Sequence, residues 1–393
     1  MLRKSLLALF VLVAIGTADA QTGRQLVVVS IDGLDHRYLR DRDKLGLKIP
    51  NIRKLIAEGQ WAAGGVVGVL PSETFPSHTT MVTGVLPAVH GILQNNNPKT
   101  GERNWFATQI LVPTLWDLAR AAGLKTASVD WPVTVNAPID FNFPEKFDPK
   151  TGAGDMTLAD HEPVTTPGLI AKIAAEYPSF ATLRVDDRSR TLAAMYAVVE
   201  GKANLTLLHL SDHDHAAHSF GPFSRESIAA VEFADECIGR IIESMESMPK
   251  SAVFALVSDH GFERIDKFVS LKGVGGGVTE FHEVLAIAEN DEAAGKLRAS
   301  GLVGHQVPQE ELKRYAPQWA GKAVFESPEH VLFGDETKKP PAGTHGFWPR
   351  RSDYHSVFVL WGNGVKRDTL PEIEMTSIAG RFAEVLGVKL PSR

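Results

Sequence analysis

The run Leu26-Val27-Val28-Val29-Ser30-Ile31 is apolar without alternation, β-branched at its centre, and ends on Asp32-Gly33. A strand with one wet face would alternate polar and apolar residues. A strand with no polar face must be covered on both sides, as the central strand of a parallel sheet is. Lys125 to Trp131, Asn204 to Leu210, Ala252 to Ser258 and His355 to Trp361 repeat that character. Helical spacing fills the intervals at Thr114 to Ala122, Ser189 to Glu200, Arg225 to Met245, and Ile373 to Leu386, the last ended by Gly387. This alternation predicts an α/β domain with a mostly parallel central sheet and helices on both faces. One catalytic domain over residues 24–391 is expected. Three stretches break the alternation: Gln94 to Trp105, about 132–160, and about 262–344. Parallel α/β folds place their sites in loops beyond the carboxyl ends of strands, so these stretches are read as rim and cap of a pocket. Gly273-Val274-Gly275-Gly276-Gly277 lacks a following Lys-Ser/Thr and is read as an ordinary loop.

Residues 1–20 stand apart from that pattern. Arg3 and Lys4 precede an apolar stretch from Leu6 to Ile15, and Ala18-Asp19-Ala20 supplies small residues at a cleavage position. This is the form of an export signal. It is too short for a stable membrane anchor, which needs roughly 20 apolar residues. A periplasmic or extracellular protein is expected. The whole chain carries a formal charge of −6, with 41 Lys and Arg against 47 Asp and Glu. Without concentrated basic charge, a nucleic-acid polymer is not the expected partner. A small phosphorylated substrate remains possible, because bound metal ions can supply positive charge locally. The lone cysteine, Cys237, lies in a helical pattern and is read as a packing residue. No Cys-x-Pro-x-Arg sequence is present, which excludes a sulfatase that converts such a cysteine.

The residues with metal-binding chemistry sit where the apolar runs stop. Asp32 ends the first run, Asp259-His260 another, and Asp214 and His218 follow a third. His345, in Gly343-Thr344-His345-Gly346, precedes the run from His355. Asp-x-x-x-His puts two ligands on one face of a helical turn. Adjacent Asp259 and His260 can converge only on a loop, which Gly261 permits. Three carboxylates and three imidazoles suit two zinc ions, although singly each residue could equally be a helix cap or a satisfied polar group. Pro71-Ser72-Glu73-Thr74-Phe75-Pro76-Ser77-His78 offers hydroxyls ahead of a helical pattern that continues to Gly84. Ser72 or Thr74 could serve as cap or as nucleophile.

Asp32-Gly33, Thr74-Phe75-Pro76-Ser77-His78, Thr83-Gly84, His90-Gly91-Ile92, Asp214 with His218 and Gly221-Pro222, Asp259-His260-Gly261 and Thr344-His345-Gly346 occur in this order. Together they resemble the type I phosphodiesterase/nucleotide pyrophosphatase family of the alkaline phosphatase superfamily, from Val27 to Pro391. The resemblance implies an alkaline phosphatase-like core and two zinc ions per chain. One would be held by Asp214, His218 and His345, the other by Asp32, Asp259, His260 and Thr74. It implies that Thr74 attacks phosphorus and that the phospho-threonine is then hydrolysed. Asn95 matches an asparagine that contacts a non-bridging phosphoryl oxygen.

Three departures bear on the substrate. Ser77 stands where the family usually has Asn. His209 stands where nucleotide-cleaving members have a Tyr that stacks on a base opposite Phe75, so the two rings are carried as a candidate substrate slot with nucleotide preference open. Trp131-Pro132-Val133-Thr134-Val135-Asn136 lacks the positive side chains by which monoesterase relatives bind extra phosphate charge, which favours diesters. Asp212, His213 and His215 are surplus ligand types, read as hydrogen-bond partners of the ligands. Hydrolysis of phosphonates or phosphomonoesters, and an exported binding protein with a decayed site, are the alternatives.

Overall fold

The computed structural model describes residues 24–147, 157–182, 184–246, 252–351 and 353–391. The expected export signal and part of the 132–160 insertion lie outside these residues. The strands are β1 (Gln25–Ile31), β2 (Gln60–Ala62), β3 (Thr126–Val129), β4 (Phe141–Phe143), β5 (Leu205–Leu210) and β6 (Ala252–Val257), of which β1, β3, β5 and β6 are the expected apolar runs and β2 and β4 are short strands outside them. Later come the cap strands β7 (Val278–Phe281), β8 (Leu285–Ala288) and β9 (Ala323–Glu326), then β10 (Phe358–Gly362) and β11 (Asp368–Leu370). The main sheet has eight strands in the order β11-β2-β10-β6-β1-β5-β3-β4. Of its described strands only β10 runs against the rest, pairing antiparallel with β6 and β2.

The unalternating first run is explained by two cores. Val27, Val29 and Ile31 point into one, with Ile52 and Leu55 of helix α1 (Pro50–Glu58). Leu26 and Val28 point into the other, with Leu115 and Trp116. Every residue of β1 is buried, and each large aliphatic side chain so placed contributes about 1.5–3 kcal/mol. Helix α2 (Thr74–Thr83) is followed by α3 (Leu115–Ala121), α4 (Asp187–Val199), α5 (Asp212–Phe220) and α6 (Arg225–Glu246). Thr114 caps α3 through a reciprocal pair with Asp117. Cys237 is buried on α6.

The insertion after β6 carries its own antiparallel sheet, β7-β8-β9, with helices α7 (Asp291–Ser300) and α8 (Gln309–Tyr315). Leu285, Ile287, Leu312 and Val324 form a core with Val67, Leu70 and Tyr354 of the main domain. It enters and leaves through paired backbone, Glu263–Arg264 against Gly343–Thr344. The glycine run begins as a short 3-10 turn, Lys272–Val274.

The closing segment differs from the expectation of one helix. Ile373–Glu374 pairs with Val66–Val67, Met375–Ser377 is a 3-10 turn, and only Ile378–Leu386 is α-helical (α9). Ile373 is held by the edge pairing, and Glu374 by Tyr315, whose hydroxyl donates to it at 2.7 Å. Tertiary contacts override the helical period there.

Candidate metal centre and active site

Asp32 leaves the end of β1 beside Gly33, whose φ of 67° turns the chain so that its N–H donates to Asp259 Oδ1 at 2.9 Å. Asp259 and His260 lie in the loop after β6. Gly261 follows because a Cβ there would come within 2.9 Å of both Asp35 Oδ2 and the Tyr354 backbone. His260 Nε2 faces Asp32 Oδ1 at 3.3 Å and Asp259 Oδ2 at 3.2 Å. The first turns of α5 present Asp214 and His218 together, Nε2 to Oδ1 at 3.5 Å. His345 Nε2 approaches the same Asp214 oxygen at 3.9 Å. His345 precedes its strand because β10 is antiparallel: Phe358 pairs with Val257, so β10 begins where β6 ends.

The ligand atoms of Asp214, His218 and His345 lie within 4.8 Å of one another, as do those of Asp32, Asp214 and His260. The two groups abut, since the His260 and His345 rings stack with centroids 3.7 Å apart. Each imidazole is oriented from behind. Nδ1 of His218 donates to the Gly343 carbonyl, Nδ1 of His345 to that of Ser72 and Nδ1 of His260 to that of Gly261, at 2.9, 3.0 and 3.1 Å. Donation at Nδ1 leaves the Nε2 lone pair directed at the cluster.

Among the described residues, Asp32 Oδ1, Asp214 Oδ1, Asp259 Oδ2 and His260 Nε2 are buried without a hydrogen-bond partner. Four such orphans turned toward one region are costly unless a cation joins them. The crowding of these groups shows in their electrostatics, and against its burial the Asp259 and Asp32 carboxylates lift His260 to about 9. Burial pushes the Asp259 carboxyl up to about 8, with Asp32 adding to the rise. Burial, and then His260 and His218, press His345 well below the ordinary imidazole range. Oxygen and imidazole donors in this number fit zinc.

Thr74 is the first residue of α2; Glu73 occupies the cap position, so Thr74 is not the cap. The segment is bracketed by two imidazoles. The Ser72 carbonyl accepts from His345, and the Thr74 carbonyl accepts from His78 Nδ1 at 2.8 Å. That His78 nitrogen is 3.7 Å from Asp259 Oδ2. The Phe75 N–H donates to Asn95 Oδ1 at 2.8 Å, which leaves the Asn95 NH2 end available to a ligand.

Phe75 and His209 are not brought face to face. The Phe75 ring is buried, edge-on to Trp105, with the Arg103 guanidinium 4.5 Å from its centre. His209 is buried on β5, opposite Ser30 of β1. Its Nε2 lies 3.1 Å from Asp32 Oδ2 and its Nδ1 3.1 Å from the Asp130 carbonyl. Both ring nitrogens are occupied in supporting Asp32, where the sequence suggests a stacking surface. His213 supports the same residue, Nδ1 to the Asp32 carbonyl at 2.9 Å.

Sequence reasoning passed over Arg190, which is buried and bridges Asp130, Asp187 and Asp212 behind the start of α5. It also missed Arg103, Glu73 and His282. Arg190 follows Asp186-Asp187-Arg188-Ser189 in a charged helix start, so its residue type alone did not mark it as buried. Glu73 and His282 become neighbours only through the cap, whereas Arg103 reaches Phe75 from the Gln94 to Trp105 stretch.

An α/β core with carboxylates and imidazoles converging beyond its strand ends forms two groups that could hold metal ions. The family Type I phosphodiesterase / nucleotide pyrophosphatase matches residues 26–332, and the chain belongs to it. The venom phosphodiesterase of Macrovipera lebetinus is 26% identical over 263 residues, which cover 61% of this chain and 26% of that protein. Human ectonucleotide pyrophosphatase/phosphodiesterase family member 1 is 23% identical over 403 residues, covering 90% of this chain and 39% of that protein. The chain therefore spans well under half the length of these relatives. Among solved structures, human ectonucleotide pyrophosphatase / phosphodiesterase 5 superimposes with a TM-score of 0.70 at 18% identity, over 94% of this chain and 96% of that one. An inactive threonine-to-alanine variant of the murine protein, in complex with AMP, gives 0.69 at 18% identity over 94% and 96%.

Proposed function

We propose that this protein is an exported hydrolase of small phosphodiesters or pyrophosphates, using two zinc ions and Thr74 as nucleophile. Residues 24–391 would form one catalytic domain, with 132–160 and 262–344 as rim and cap. The observation that carries this reading is the group of orphaned buried atoms on Asp32, Asp214, Asp259 and His260, set against the start of α2. Asp214, His218 and His345 would hold one ion; Asp32, Asp259, His260 and Thr74 the other. When bound, the ions supply Lewis-acid stabilisation of the attacking and leaving oxygens. The chain's own residues do the rest. The amide end of Asn95, held beside the start of α2, would receive a non-bridging oxygen, where the helix dipole favours negative charge. Thr74 Oγ attacks phosphorus in line and expels the ester oxygen, leaving a phospho-threonine that water then cleaves. The murine relative inactivated by losing a threonine supports that role.

The turn after β3 presents Trp131, Val133 and Val135 as buried apolar residues rather than cations, which supports diesters over monoesters. Arg103, stacked over Phe75, is the observation that favours the second reading, a monoester or phosphonate with more charge. The test is turnover of bis-p-nitrophenyl phosphate by the zinc-loaded protein and its Thr74→Ala variant, run beside a monoester and a phosphonate. Loss of at least roughly a thousandfold is expected. Unchanged turnover in the variant would remove Thr74 from the chemistry, and tenfold preference for the monoester or phosphonate would reverse the substrate ranking.

A further inference from the structure

Hairpin β7–β8 turns through His282-Glu283-Val284, since Phe281 pairs with Leu285. His282 and Glu283 both take left-handed backbone, with φ of 48° and 61°. Neither is glycine, and such residues persist in that region only where the surroundings over-determine them. Here the surroundings are visible. The His282 ring lies flat against Phe281 at 4.2 Å, and Phe281 packs edge-on to Trp319. The Glu283 carbonyl accepts the Phe333 N–H at 2.7 Å.

The strained turn delivers one imidazole to the start of α2. His282 Nδ1 lies 2.5 Å from Glu73 Oε1 in an ion-pair contact, and its Nε2 lies 3.2 Å from Gln94 Oε1. Glu73 is 3% exposed, a buried carboxylate immediately before Thr74. Its other oxygen, Oε2, accepts the Asn95 N–H at 2.7 Å. Asn95 Oδ1 in turn accepts the Phe75 N–H. The cap turn, the loop holding Asn95 and the first turn of α2 are thus tied through one carboxylate.

We propose that His282 is a positioning residue: by pairing with Glu73 it fixes Asn95 against the start of α2, so that the cap sets the geometry in which the phosphoryl group is received. Without the imidazole, Glu73 would be a buried carboxylate lacking its cation, free to turn toward solvent and release the Asn95 amide. The residue would touch no substrate and would act only through Asn95. This rests on the reading of Asn95 given under the proposed function.

The experiment uses the zinc-loaded full chain and the variants His282→Ala, His282→Gln, Asn95→Ala and the His282→Ala/Asn95→Ala double. Loss of an aligned donor to transition-state charge should lower kcat about tenfold in His282→Ala with KM held within about twofold. His282→Gln, which can still donate to Glu73, should recover most of that loss. In the Asn95→Ala background the same histidine change should cost under about twofold, because residues acting through one another are not additive. Hydrogen–deuterium exchange of the peptide spanning residues 91–97, without substrate, should speed up in His282→Ala and return toward wild type in His282→Gln. An equal loss in both backgrounds, or unchanged exchange, overturns the proposal. If the wild-type protein turns over no phosphoester, the function reading fails, and the exchange measurement alone then decides whether His282 holds Asn95.

Discussion

Replacing Arg190 by methionine would remove one positive charge from a place where three carboxylates meet. Arg190 is 1% exposed; its Nε contacts Asp130 Oδ2, and one terminal nitrogen lies 2.9 Å from Asp187 Oδ1 and 3.4 Å from Asp212 Oδ1. Methionine keeps much of the packing volume, so the loss is chiefly electrostatic. Breaking a buried pair from one side costs about 3–5 kcal/mol, because the remaining charge is left uncompensated. With an unfolding entropy of about 2.1 cal/mol/K per residue over roughly 370 residues, that lowers Tm by about 4–6 °C. The loss also has a sign in pH. Burial and then Asp212 push the Asp187 carboxyl up to about 7. The folded state therefore holds a proton that the unfolded state has released between the ordinary carboxylate range and about pH 7, and stability falls as pH rises through that window. Arg190 opposes that rise, so removing it lifts the Asp187 carboxyl further, and the deficit against wild type should be larger at pH 8 than at pH 5.5. Thermal unfolding of the zinc-loaded proteins at both values measures it. A drop below about 1 °C at both, or a larger drop at pH 5.5, would refute the view that Arg190 neutralises these acids.

Chelation of metal from the wild-type protein should lower Tm more at pH 8 than at pH 5. Asp259 is raised to about 8 by burial and Asp32, so the metal-free fold loses stability as pH climbs from the carboxylate range to that value, and a cation restores it. Scans with and without EDTA would show this, and an equal shift at both pH values would contradict it. Gly261→Ala should cost about 2–3 kcal/mol and reduce bound zinc, because the added carbon meets Tyr354 backbone that cannot withdraw. His209→Phe keeps a flat ring but loses the contact with Asp32, so zinc affinity should fall about 10–100-fold while relative KM for nucleotide and non-nucleotide diesters stays level. A changed nucleotide preference with intact zinc affinity would restore the stacking role instead.

The convergence of these acids and imidazoles was legible because of how parallel sheets are built. An apolar run that stops at Asp32 or at Asp259-His260 marks a strand's carboxyl end, and all such ends share one edge. Asp214 and His218 were legible for a similarly local reason, the four-residue spacing of one helical turn. His345 could be placed near them only by resemblance, since nothing in its surroundings announces that β10 runs antiparallel and starts at that edge. The contacts that the sequence concealed join segments with no common period. Glu73, Gln94 and His282 become neighbours because a hairpin in a separate small sheet ends where it does. His209 was concealed differently. A flat ring at that position is what both a stacking surface and a brace for Asp32 require, so residue type cannot separate the two. The register does: His209 stands opposite Ser30, two residues before Asp32, on a strand buried on both faces. There the ring reaches Asp32 with one nitrogen and the Asp130 carbonyl with the other, and its burial leaves no open face for a base.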